Sequence, residues 1–134
     1  MSEPKFSDLM GKTLTKIDNT AYEVVFTTNT GEKFKLYHDQ DCCERVEVED
    51  INGEFDDLIG APILLAEEVS NSHEDEIVVA PKEDWHESYT WTFYKLATIK
   101  GYVTIRWYGT SNGYYSERVS FARLVPYGFM EVSA

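Results

Sequence analysis

The stretch that decides the fold is Tyr89-Thr90-Trp91-Thr92-Phe93-Tyr94-Lys95-Leu96-Ala97-Thr98-Ile99, followed after Lys100-Gly101 by Tyr102-Val103-Thr104-Ile105-Arg106-Trp107-Tyr108-Gly109. Both runs are crowded with β-branched and aromatic residues, which suit a pleated, half-buried surface, and a glycine marks the break between them. After Thr110-Ser111-Asn112-Gly113 comes a third run, Tyr114 to Phe121, and the three together read as an antiparallel meander. Side chains alternate across a strand, so Val103, Ile105 and Trp107 are expected inward, with Val119 and Phe121 joining them. Thr104, Arg106, Tyr108, Tyr114, Ser116 and Arg118 are expected on the opposite face.

Upstream, the same pattern recurs in shorter pieces. Lys12 to Asp18 is expected as a first strand after Gly11. Tyr22 to Thr28 and Lys33 to Tyr37 flank Asn29-Thr30-Gly31, a hairpin signal that puts Phe34 and Leu36 on one side. Arg45 to Ile51 alternates again, with Val46 and Val48 inward, and ends at the turn Asn52-Gly53. Glu54 to Ile59 reads as a short helical turn with Phe55, Leu58 and Ile59 on one face. Pro62 to Val69 reads as a largely buried strand. Residues 70–88 are polar, acidic and broken by Pro81, and are expected as a long exposed loop containing at most a small strand at Ile77-Val78-Val79. Residues 1–10 read as an N-terminal tail, and 124–134 as a C-terminal tail with room for a short last strand. The expected fold is all-β or β-rich α+β. It is one domain over residues 1–134, mostly antiparallel, of about eight strands with at most one or two short helices.

Composition bounds the function. A chain of 134 residues with 43% hydrophobic content builds one core, and 14% aromatic content excludes a low-complexity class. No apolar run approaches the roughly 20 residues of a membrane span, and Met1 to Met10 lacks the apolar segment of a secretory signal, so no membrane partner is expected. Cys42 and Cys43 are the only cysteines and are adjacent, so they cannot staple distant parts of a domain; the expectation is free thiols in a cytoplasmic setting. The net charge is −12 and is uneven: residues 39–87 hold 17 acids against Arg45 and Lys82, while the rest of the chain holds 7 acids and 10 bases. Such a field repels phosphate backbones and favours basic partners, so direct nucleic-acid binding is not expected.

Two clusters carry potential chemistry. His38, Asp39, Asp41, Cys42, Cys43 and Glu44 are all metal-ligating types within seven residues, and a tight loop would let them converge on a divalent cation. Their spacing matches neither a paired C-x-x-C zinc pattern nor a calcium loop with its glycine at position six. The alternative is a strand-end turn in which carboxylates cap backbone N–H groups and one thiol is buried as a small apolar residue. The second cluster is the polar face of the meander: Arg106, Tyr108, Ser111, Asn112, Tyr114, Ser116 and Arg118. Two guanidinium groups, phenols and hydroxyls near one hairpin tip suit a small anionic ligand such as a nucleotide. The competing reading is a solvated outer sheet face with cross-strand pairs. No nucleophile–base set, phosphate loop or RNA-binding signature stands out, so an enzyme is not the favoured class.

The motifs Tyr37-His38-Asp39-Gln40-Asp41-Cys42-Cys43-Glu44, Glu49-Asp50-Ile51-Asn52-Gly53, Tyr89-Thr90-Trp91-Thr92-Phe93-Tyr94-Lys95-Leu96, and Ile105 through Ser116 resemble those of a family of small uncharacterised bacteriophage and prophage proteins, a domain of unknown function. The similarity runs from about Gly11 to Phe121. It implies a phage-encoded protein working in a bacterial cytoplasm and supplies no functional residues. With the charge block and the polar face, the expected function is a phage-type accessory protein that binds a host or phage protein or a small anionic ligand, with countering of host defence as one role. The alternatives are a metal-binding domain or metal-dependent enzyme built on His38 to Glu44, and a virion or assembly component stabilised by homo-oligomerisation.

Overall fold

Glycine turns set where the chain folds back. Gly31 sits at φ +87° in the turn between Thr28 and Lys33 and Gly53 at φ +114° after the fourth strand, backbone that other residues rarely adopt. The computed structural model describes residues 3–72, 88–112, 115–124 and 131–132. The strands are β1 (Leu14–Asn19), β2 (Glu23–Thr28), β3 (Lys33–Tyr37), β4 (Arg45–Asn52), β5 (Leu65–Ser72), β6 (Ser88–Thr98), β7 (Gly101–Ser111), β8 (Ser120–Leu124) and β9 (Glu131–Val132). They form two sheets of order β1-β2-β3-β8-β9 and β4-β7-β6-β5, with every strand pair antiparallel. The only helical elements among the described residues are 3₁₀ turns at Phe6–Leu9 and Phe55–Leu58.

One core joins the sheets. Val24, Phe26, Phe34, Leu36 and Phe121 come from the first sheet, and Tyr94, Leu96, Val103, Ile105 and Trp107 from the second. The parity expected for β7 holds: Val103, Ile105 and Trp107 are fully buried. In β4, Val46, Val48 and Ile51 all reach the core although the last two are an odd three positions apart. The register slips between Val48 and Asp50, and this bulge restores Ile51 to the inner face opposite Ile105.

Several expectations change. The third run of the meander does not follow β7 into the same sheet. Ser116 to Val119 is not strand, and β8 joins the other sheet, pairing with β3 so that Phe121 lies opposite Leu36 and stacks on Phe34 at 5.5 Å. Alternation marks a strand but not the sheet it joins, and burying Phe121 and Ala122 against β3 decides that here. Residues 1–10 are not simply a tail, because Phe6 and Leu9 are buried. The Phe6 ring meets Tyr94 at 4.7 Å and Phe121 at 5.5 Å. The strand expected at Pro62 to Val69 begins at Leu65. Being a sheet edge, it leaves Leu65 39% and Val69 38% exposed while Ala66 is buried; ahead of it Leu64 is exposed and Ile63 buried. The acidic loop expected at 70–88 loses its ends to β5 and β6; residues 73–87, including Ile77-Val78-Val79, lie outside the described residues, as do 125–130 of the C-terminal tail. No helix among the described residues is long and apolar enough to cross a membrane.

Candidate functional site

The segment Tyr37 to Glu44 leaves β3 and folds around a single carboxylate. Glu44 is 4% exposed; its oxygens accept the backbone N–H groups of Asp41 and Cys42, both at 2.9 Å, and His38 Nε2 lies 2.7 Å from Oε2. His38 Nδ1 faces the carbonyl of Arg118 at 2.7 Å, so the ring ties this loop to the segment that crosses between sheets. Burial alone pushes the Glu44 carboxyl up, but the N–H groups of Cys42 and Asp41 and the His38 ring outweigh it and hold the group at about 2. The loop is therefore the capped-turn arrangement. Metal ligation needs lone pairs aimed at a common point, and here the central carboxylate is surrounded by donors. Among the described residues no three His, Cys, Asp or Glu side chains converge as a metal site, and Asp39 and Asp41 are exposed. Cys42 and Cys43 are joined to each other and both are exposed, so neither the free thiols nor the buried thiol expected from sequence is found.

Above this loop, at one end of the sheets, lies a cleft. The inner face of β6 grades along its length from Leu96 and Tyr94 to Thr92, Thr90 and Ser88. Their partners on β7 run from Val103 and Ile105 through Trp107 and Gly109 to Ser111. The polar end lines a cavity of about 330 Å³ together with Glu68, Ser70 and the crossing residues Tyr115 to Val119. A second cavity of about 490 Å³ adjoins it between His38–Asp41 and Ser116, Arg118 and Ser120, and a third of about 340 Å³ opens toward Lys5 and Phe6. Arg118 lines all three, is exposed, and has no ion pair among the described residues.

Glu117 is the buried acid of this cleft, 9% exposed. It accepts Thr90 Oγ1 at 2.7 Å and Ser111 Oγ at 2.5 Å. It packs where Gly109 leaves room, since a Cβ on residue 109 would lie 2.9 Å from Glu117 Cβ. Thr92 is 4% exposed, lines the cavity, and its hydroxyl has no hydrogen-bond partner among the described residues. Directly below, the Tyr94 hydroxyl and Trp107 Nε1 are buried without hydrogen-bond partners among the described residues. Burial first, and then the neighbouring Glu68 carboxylate, push the Tyr94 phenol up, while the Arg118 charge pulls it back.

The residues singled out in the sequence as one polar face divide between two. Arg106 and Tyr108 lie on the outer face of the second sheet. There Arg106 bonds Glu49 through Nε at 2.9 Å and through its terminal nitrogen, and sits over Trp91 at 5.0 Å; Tyr108 is buried against Trp91 at 4.3 Å. Ser111, Ser116 and Arg118 gather at the cleft, Asn112 is exposed beside it, and Tyr114 lies outside the described residues. Thr90, Thr92 and Glu117 were not singled out. The signal for Glu117 is its parity with Val119 and Phe121, which places a carboxylate on the inward side of an alternating run.

These features define an antiparallel two-sheet β domain with a polar cleft at one end of its shared core. The chain belongs to a family described as a domain of unknown function, DUF7448, whose model matches residues 7–121. No curated protein and no solved structure matches it.

Proposed function

We propose that the protein is a non-catalytic binding domain that holds a small anionic ligand in the cleft around Arg118. The observation that carries this reading is the meeting of three cavities at one exposed guanidinium that has no ion pair among the described residues. Arginine offers a planar fork that pairs two oxygens of a phosphate or carboxylate at once. Arg106 is already paired with Glu49 on the other face, so it is the weaker candidate. The resemblance to phage and prophage proteins supports a phage-type accessory role in a bacterial cytoplasm.

Thermal shift with phosphate- and carboxylate-bearing small molecules tests the reading. A ligand at a hundred times its Kd stabilises the folded state by about 2.7 kcal/mol. That shift should be lost in Arg118→Ala and kept in Arg106→Ala. Loss in the Arg106 variant alone, or no stabilisation by any such compound, overturns it. A second reading, capture of a basic host protein, is favoured by one specific observation: Asp39, Asp41, Asp50, Glu54, Asp56, Glu67 and Glu68 are all exposed within the acid-rich span. Pull-down from host lysate at low and high salt tests it, and a partner retained equally at both salts would count against it.

A further inference from the structure

The lining of the cleft narrows the class of ligand. We infer that the site takes a polyol monophosphate, a sugar phosphate in chemical class, with its hydroxyls against Thr92 and Glu117 and its phosphate on Arg118; this rests on the binding reading above.

The argument begins with what the cavity lacks. Beside Tyr115 and Val119, its lining residues carry hydroxyls, carboxylates and one guanidinium, so polar groups are at hand to orient a ligand rich in hydroxyls. Glu117 uses one lone pair on each oxygen, for Thr90 and Ser111. A carboxylate has about four acceptor positions, so acceptor capacity for two adjacent donors remains, which is what a vicinal diol presents. Thr92 supplies the second, independent observation. The residue lines the cavity, is 4% exposed, and makes no side-chain hydrogen bond among the described residues. A hydroxyl left without a protein partner at a cavity wall is free to bond a polar ligand there.

Charge sets the other limit. Among the described residues Arg118 is the only lysine or arginine lining the first two cavities, against Glu68, Glu117, Asp39 and Asp41. A single phosphate leaves less charge uncompensated by the guanidinium than a triphosphate, whose further charges would face the carboxylates. Ser116 and Arg118 line both cavities, so a ligand can place its polyol in one and its phosphate at their junction.

Calorimetry with ribose 5-phosphate, ribose, inorganic phosphate and ATP on the full chain provides the test. Ribose 5-phosphate should bind more tightly than each of the others. Thr92→Val, which keeps the side-chain shape, should weaken it by about 3–10-fold, the value of one neutral hydrogen bond, without lowering the melting temperature. Arg118→Ala should weaken it by about 10–100-fold, as for a charged pair. Glu117→Gln, which retains one acceptor oxygen, should weaken ribose 5-phosphate and leave inorganic phosphate unaffected. If inorganic phosphate or ATP binds as tightly as ribose 5-phosphate and depends on Arg118, the polyol assignment fails while the anion-binding reading stands. If none of the four binds, the polyol assignment fails; if no other phosphate or carboxylate binds either, the anion-binding reading fails with it.

Discussion

Placing a methyl group at Gly109 would test both the crossing between sheets and the cleft built on it. Gly109 lies on the inner face of β7, opposite Val46 and beneath the crossing segment. A Cβ there would sit 2.9 Å from Glu117 Cβ, 3.1 Å from the Glu117 carbonyl oxygen and 3.2 Å from Val46 Cγ2. The Val46 methyl can turn aside, but the first two atoms are fixed to the backbone of residue 117. Reaching an ordinary 3.4 Å from 2.9 Å moves that backbone by about 0.5 Å. Overpacking of this kind costs about 1–3 kcal/mol. In a chain of this size each kcal/mol is worth roughly 3–5 °C, so Gly109→Ala should melt roughly 3–15 °C lower. Circular dichroism on heating and urea titration would read it, with the midpoint lowered and the slope unchanged. The displaced backbone carries Glu117 and Arg118, so binding in the cleft should weaken in a protein that is still folded. A variant that melts with the wild type would show that residue 117 does not close over Gly109, and both the crossing and the cleft would need redrawing.

Acid should unfasten the loop at residues 38–44. The Glu44 carboxyl is held at about 2 against an ordinary 4.5, so its stabilising contribution is complete above about pH 4.5 and lost as pH falls toward 2. Melting curves across that window should fall less steeply for Glu44→Gln than for wild type, and parallel curves would refute the arrangement. His38→Ala removes the ring that joins Glu44 to the Arg118 carbonyl and should cost about 1–3 kcal/mol by urea titration. Phe6→Ala should cost about 3 kcal/mol or more by the same measurement, because its ring is buried against Tyr94 and Phe121; a negligible change would return the N-terminus to the status of a tail.

Much of the fold was legible because period-two alternation and glycine turns act locally. The hairpin at 22–37, the strand from Arg45 and the long pair β6–β7 follow from them directly. Choices made by the whole core were not legible. Whether the run ending at Phe121 continues a meander or changes sheets depends on β3 having an open edge and on Phe34 waiting beneath it. The burial of Phe6 depends on a gap beside Tyr94, which only the assembled sheets define. The candidate site was legible in part for the same reason. Arg118, Ser116 and Ser111 stood out by type, yet Arg106 and Tyr108 were grouped with them because a continuing meander would have put all five on one face. Thr90 and Thr92 gave no sign, since threonine is ordinary in a strand and only its neighbours across the cleft distinguish it.

The polar end of the sheets is hard to explain by stability. Along the inner face of β6, replacing Leu96 and Tyr94 by Thr92, Thr90 and Ser88 gives up apolar burial worth about 25 cal/mol per Å² and brings hydroxyls into a region where unpaired ones are penalised. Thr90 offsets this by bonding Glu117, but Glu117 is itself a buried acid that an apolar residue would replace at lower cost. Thr92 has no such partner. A strand selected for stability alone would carry valine or isoleucine at these positions, as β7 does at Val103 and Ile105, where both are fully buried. The hydroxyls persist at the one end of the core that opens beside an exposed arginine. The proposed binding role rests on that coincidence rather than on any single residue, and it makes Thr92→Val the sharpest separation of stability from binding: the variant should hold its fold and bind its ligand more weakly.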